Sequence, residues 1–156
     1  MKQLFFCGIL FLSVSCTKED ITIYIATLQN KTTHSITILP YKSGSVLASD
    51  TIKLSPGSEV EIAHGSQWGI VEVPGFSSKY FGGPNDSVIV VFDNLYKVSH
   101  YANTPGLLSA KYYLNTSTRN IGNPHSYRFE SVRVNNHQQK NTHVYEFTEQ
   151  DYLYSQ

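Results

Sequence analysis

Ser87-Val88-Ile89-Val90-Val91-Phe92 is one serine followed by five apolar residues, a run too short for an ordinary helix and built from the β-branched and aromatic types that suit a pleated surface. It reads as a central strand covered on both faces and as the best single core segment. On its N-terminal side the pattern changes to alternation. Ile21, Ile23 and Ile25 are separated by Thr22 and Tyr24, Ile36 and Ile38 repeat the spacing, Ile52 and Leu54 do so again, and Val60 and Ile62 are flanked by Glu59 and Glu61. Period two means strands with one wet face. Turn signals at Ser43-Gly44, Pro56-Gly57, Gly65-Ser66, Pro74-Gly75, Gly82-Gly83-Pro84, Asp93-Asn94 and Pro105-Gly106 fall eight to thirteen residues apart, a spacing typical of sandwiches and small barrels.

Further strands are expected at Lys111 to Leu114, His125 to Val134 and His143 to Phe147. In the second of these the apolar parity switches between Phe129 and Val132, the mark of a bulge. Asn115 to Pro124 (NTSTRNIGNP) is the longest stretch without strand character and is expected to be an exposed loop. Thr148-Glu149-Gln150-Asp151 has the form of a helix start, and one helical turn there places Tyr152 against the rest of the domain. After Cys16 the chain has 11 Val, 10 Ile, 12 Thr and 11 Tyr but only five Ala and no Met, a strand-forming palette. The expected fold is therefore all-β: a single antiparallel β-sandwich, Ig-like or similar, over residues 21–156 with a short C-terminal helical turn, a small β-barrel being the alternative.

The first twenty residues have a different character. Met1-Lys2-Gln3 carries one positive charge, and Leu4 to Val14 is eleven residues long without a charge. A spanning helix needs about 20 apolar residues, so residues 1–15 read as a signal peptide ending in the small residues Ser13-Val14-Ser15. Cys7 leaves with it, and a mature chain with one Cys has no internal disulfide.

Charge and residue spacing narrow the function. The 12 basic and 12 acidic residues among 156 balance, which argues against the cationic surface of a nucleic-acid binder. The six His, at 34, 64, 100, 125, 137 and 143, lack the short fixed spacing of a zinc site, so no metal or other cofactor is expected. Ser66 in His64-Gly65-Ser66-Gln67-Trp68-Gly69 lacks the glycines of a nucleophile elbow, and Glu59 with Glu61 reads as a solvated strand face. The expectation is a protein that is not an enzyme, a hydrolase with an unrecognised site being the alternative. The only Trp, Trp68, next to a strand, is expected in the core, whereas Phe76, Tyr80 and Phe81, in a loop punctuated by Gly and Pro, are the candidates for an exposed binding patch.

Leu12-Ser13-Val14-Ser15-Cys16 resembles the lipobox of bacterial lipoproteins, with its Leu one position further from the Cys than usual. The resemblance implies that Cys16 is lipidated through its sulfur and becomes the new N-terminus, with residues 16–20 as a tether; cleavage by the ordinary signal peptidase would instead free a soluble periplasmic or secreted protein. Thr17, in the place where Asp marks retention at the inner membrane, implies sorting to the outer membrane. Together with Ser55-Pro56-Gly57, the segment Asp86 to Asp93 and the closing Tyr145 to Tyr152, this start is similar to those of small Gram-negative outer-membrane lipoproteins with no agreed activity. Asp50-Thr51-Ile52 and Asp86-Ser87-Val88 also resemble a short O-glycosylation acceptor of exported envelope proteins. The expected role is that of a lipid-anchored cell-envelope protein that binds or supports, its partners the membrane through Cys16 and a glycan or an envelope protein, and surface glycan capture the alternative.

Overall fold

The computed structural model describes residues 20–68, 80–81, 86–103 and 109–156. Among these residues ten strands follow one another: β1 (Ile21–Asn30), β2 (Ile36–Lys42), β3 (Ser45–Val46), β4 (Ile52–Leu54), β5 (Glu59–Trp68), β6 (Ser87–Phe92), β7 (Tyr96–Tyr101), β8 (Tyr112–Leu114), β9 (Arg128–Asn135) and β10 (Gln138–Phe147), with a C-terminal helix at Glu149–Ser155. They form two open sheets. One has the order β5-β1-β10-β9; the other runs β3-β2-β6-β7-β8, with β4 also paired to β2. Leu28, Tyr145 and Phe147 from the first sheet meet Ile36, Ile38, Leu54, Val88, Val90, Phe92 and Val98 from the second in one buried cluster, which makes the domain an all-β sandwich and not a closed barrel.

Both sheets are mixed, where antiparallel pairing throughout was expected. β1 pairs with β10 in parallel over its whole length, and β7 pairs with β8 in parallel. Parallel neighbours need a long connection. For β1 and β10 that connection is nearly the whole domain, so alternation within each strand carried no sign of their direction.

β6 lies in the middle of its sheet, as its apolar run requires. Val88, Val90 and Phe92 are buried while Ser87, Ile89 and Val91 are half-buried, so one face is fully covered and the other only partly. Two hairpins of this sheet have turn residues at positive φ: Asp93 and Asn94 lead from β6 into β7, and Ser43 and Gly44 join β2 to β3. Two-residue turns of this hand match the twist of the strands they join. Pro56-Gly57 forms the turn between β4 and β5, with Gly57 at φ 74° and the Ser58 N–H donating to Ser55 O at 3.0 Å.

Three expectations are corrected. Gly65-Ser66 is no turn but lies inside β5; a Cβ at Gly65 would come within 2.5 Å of the Tyr24 ring, so the glycine makes room for that ring on the facing strand. Trp68 is 63% exposed rather than core, because it pairs opposite Ile21 on the outer face of the first sheet. Asn120, Ile121 and Asn123, in the stretch expected to be an exposed loop, are buried. Side-chain amides make this possible: the Asn120 amide donates to Tyr101 O and Tyr113 O, and its carbonyl accepts from Gly122 N–H, so a polar segment enters the interior with its hydrogen bonds satisfied.

The expected bulge between Phe129 and Val132 is absent, the ladder there being regular; the register instead slips at Val134, which has no opposite number between the pairs Gln138 with Asn135 and Gln139 with Arg133. Phe129 and Val132 take opposite faces of this edge strand, all of whose residues are exposed. The C-terminal helix starts where Thr148 predicts it, with the Thr148 N–H donating to Asp151. It places Tyr152 on the sandwich, stacked on the His34 ring and edge-on to Phe92 and Tyr96.

Candidate functional site

β4 and β5 belong to different sheets and are joined by the tight Ser55–Ser58 turn, so their walls diverge away from it. Between them lies a cleft of about 230 Å³. Ser49, Asp50, Thr51 and Ile52 form one wall, Val60, Glu61 and Ile62 the other, and Tyr80 lines it as well. The register of β1 against β5 skips Ile62; such a bulge re-aims side chains and is common beside binding sites. The lining therefore combines aliphatic side chains, one tyrosine, two hydroxyls and two carboxylates. At neutral pH that set accepts hydrogen bonds more than it donates them, which suits a ligand rich in hydroxyl groups or carrying a positive charge. Its volume is below that of a drug-sized pocket and fits a single ring or a short side group.

The structure places two of the three residues expected to form an exposed patch, Tyr80 and Phe81, against the core. Tyr80 is only 6% exposed and belongs to the buried cluster, and Phe81 is half-buried against it. The reason for Phe81 lies in Gly122: a Cβ there would come within 2.9 Å of the Phe81 ring, so the missing side chain creates the space into which the ring packs. Phe76 lies outside the described residues. Of the three, Tyr80 alone is placed at a cleft, together with Asp50 and Thr51 of the Asp-Thr-Ile triplet. In the second triplet Asp86 is buried and accepts from the Ser43 N–H at 3.0 Å, so it secures the β2–β3 turn.

Two polar clusters fasten the C-terminal helix. His34 Nδ1 lies 2.5 Å from Asp93 and its Nε2 3.6 Å from Glu149, while Asp93 also accepts from the Ser35 N–H and hydroxyl. The His34 ring, then the Ser35 backbone, hold the Asp93 carboxyl below its ordinary value. On the other side of the helix, Arg119 donates to both oxygens of the buried Asp151 and to Glu146 O. These contacts tie the turn after β1, the β6–β7 hairpin and the 115–124 segment to one helix.

Among the remaining histidines, His100 and His143 are buried with an unpartnered Nε2. Burial pushes His100 down to about 3, helped by the nearby Arg119, and lowers His143. Among the described residues no three His, Cys, Asp or Glu side chains gather to hold a metal; Glu59 and Glu61 lie on the exposed outer side of β5, and Glu61, on this edge strand, also borders the cleft. No helix among the described residues is long and apolar enough to cross a membrane. Compared with protein-family models, with curated proteins and with solved structures, the chain gives no significant match in any of the three.

Sequence reasoning missed the cleft because its two walls come from segments whose contact depends on the turn between the sheets. The one available signal was Tyr80.

Proposed function

We propose that the protein is a lipid-anchored component of the cell envelope whose domain binds a ligand in the cleft between β4 and β5. The observation that carries the binding role is the composition of that cleft: Tyr80 among aliphatic residues, with Ser49, Asp50 and Thr51 on one side and Glu61 at the open edge of β5 on the other. Sugars meet such sites well, their hydroxyls donating to carboxylates and their apolar faces resting on aromatic rings. This favours a glycan as the ligand class. The anchor rests on the signal-like residues 1–15 followed by Cys16.

The binding role is tested by titrating the protein with envelope oligosaccharides and following chemical shifts by NMR. Shifts confined to residues 49–52, 60–62 and Tyr80, and weakened by Glu61→Gln, are expected. Shifts elsewhere, or none across a panel of envelope glycans and peptides, refute the cleft as the site. The anchor is tested by feeding cells a fatty-acid analogue: Cys16→Ala should abolish labelling and move the protein from the membrane to the soluble fraction, and equal labelling of both forms refutes it.

A further inference from the structure

The outer face of the four-stranded sheet changes character along its length. At the start of β1, ladder partners on this face are Trp68 opposite Ile21, then Ile23 between Ser66 and Lys140, with Val132 beyond Lys140. Trp68 is 63% and Val132 61% exposed, so both edge strands of the sheet carry a bare apolar side chain at this end. In the rows that follow, the same face carries His64 and Glu130, then Glu61 and Arg128, then Glu59 and Glu146, with Arg128 paired to both Glu130 and Glu146. The apolar and basic end and the acidic end are thus separated along the strands.

The chain enters at the apolar end. Asp20 sits between Arg133 at 3.8 Å and His137 at 3.5 Å, and the Ile21 N–H donates to His137 O, which fixes the point where the preceding segment arrives. Cys16 is four residues before Asp20, and an extended chain spans at most about 3.6 Å per residue, so a lipid on Cys16 lies within about 14 Å of this end. Tryptophan favours the boundary between headgroups and hydrocarbon, and basic residues favour anionic lipid.

We propose that the Trp68, Ile21, Ile23 and Val132 end of this face seats on the headgroup surface of an anionic phospholipid bilayer, with Lys140 meeting lipid phosphates and the acidic end turned away. The inference rests on the lipid-anchor reading of Cys16 and adds to it an orientation: a protein that lies on its membrane, not one that swings freely on a tether. It leaves the cleft, on the β5 side of the sandwich, open to ligand.

Trp68 is the only tryptophan, so its fluorescence reports the face directly. The full protein purified from the membrane fraction, its acylation checked by mass, is reconstituted into vesicles of phosphatidylethanolamine and phosphatidylglycerol, with and without bromine on the acyl chains. A blue-shifted Trp68 emission that brominated lipid largely quenches is expected. Lys140→Gln should lower the ratio of docked to undocked protein about fivefold, and Val132→Glu should remove most of the quenching while circular dichroism shows both variants folded. Unquenched Trp68 in acylated protein overturns the inference and leaves the anchor standing. Absence of an acyl chain on Cys16 overturns both. A blue shift that appears without lipid and grows with protein concentration also overturns it, because the face then pairs with a second copy of the chain.

Discussion

Acid should unfold this domain through His100. The side chain is 1% exposed, faces the core beside Val88 on the neighbouring strand, and its Nδ1 accepts from the Ile121 N–H at 3.0 Å. That bond fixes the neutral tautomer with its proton on Nε2; a second proton would set two donors against each other and bury a charge near Arg119. Its value in the folded state is accordingly about 3, against 6.5 for a free histidine. The sign follows from linkage: between those two values the unfolded chain binds a proton that the folded one excludes, so stability is complete above pH 6.5 and declines as the pH falls toward 3. One proton of difference gives about 1.4 kcal/mol per pH unit, which sums to about 2 kcal/mol at pH 5 and about 3 kcal/mol at pH 4. Urea unfolding from about pH 8 down to about pH 4, on either side of the free histidine value, measures the curve. Asp93, held low by His34, and the likewise lowered His143 contribute slopes of the same sign, so the test is a difference. His100→Asn, whose Oδ1 keeps an acceptor for Ile121, should be less stable at every pH because of the space it leaves, yet should lose the His100 share of the slope. Parallel curves for wild type and variant would refute the reasoning.

The other predictions concern how the elements are fastened together. Arg119→Ala strands the buried Asp151 and should cost about 3 kcal/mol in chemical denaturation, near the low end for a buried pair because Arg119 keeps some solvent contact; with Asp151→Ala added, a loss equal to the sum of the two single losses would show that the pair is not coupled. Asn30→Ala should cost about 2–4 kcal/mol, since the buried amide donates to His34 O, Leu54 O and Ser55 O and accepts from Thr32; an unchanged denaturation midpoint would remove it from the frame. Gly122→Ala should lower stability by about 1–3 kcal/mol through its clash with Phe81 and should cost much less in a Phe81→Ala background, a double-mutant cycle without coupling being the contrary result.

The strands were legible because their residues obey local rules. Ile21, Ile36 and Ile52 each open an alternating run that the fold uses, and the Ser43-Gly44, Pro56-Gly57 and Asp93-Asn94 signals all become turns with the left-handed backbone that glycine, asparagine and aspartate tolerate. Tyr152 reached the sandwich because Thr148 and Asp151 start the helix locally. What failed was nonlocal. Gly65 carries the same turn propensity as Gly57, and only the Tyr24 ring on the neighbouring strand explains why it sits inside β5. Trp68 sits at the end of a strand with core-like neighbours, yet its face is decided by pairing with Ile21.

The buried residues 120–123 show why the site was harder to read than the fold. Asn and Ser look solvated in sequence because they are usually found on surfaces, but the physical requirement is only that their polar groups be satisfied. Asn120 and Asn123 meet it from inside, bonding to carbonyls of Tyr101, Tyr113 and Ser117, and Ile121 then supplies the N–H that orients His100. The same logic in reverse governs Tyr80 and Phe81. Their loop is rich in glycine, which reads as exposure, but the glycine that decides the place of Phe81 is Gly122, far along the chain and in contact with its ring. Tyr80 is buried yet still borders the cleft, because a side chain can fill a core with one part and line a surface opening with another. The choice between binding patch and core was therefore false for Tyr80, and the two roles make opposite demands on an experiment. Tyr80→Phe keeps the ring and should hold stability near wild type while changing what the cleft binds, whereas Tyr80→Ala empties the core and should cost about 3–5 kcal/mol. If Tyr80→Phe leaves an identified ligand's affinity unchanged, the hydroxyl has no part in the cleft and Tyr80 belongs to the core alone.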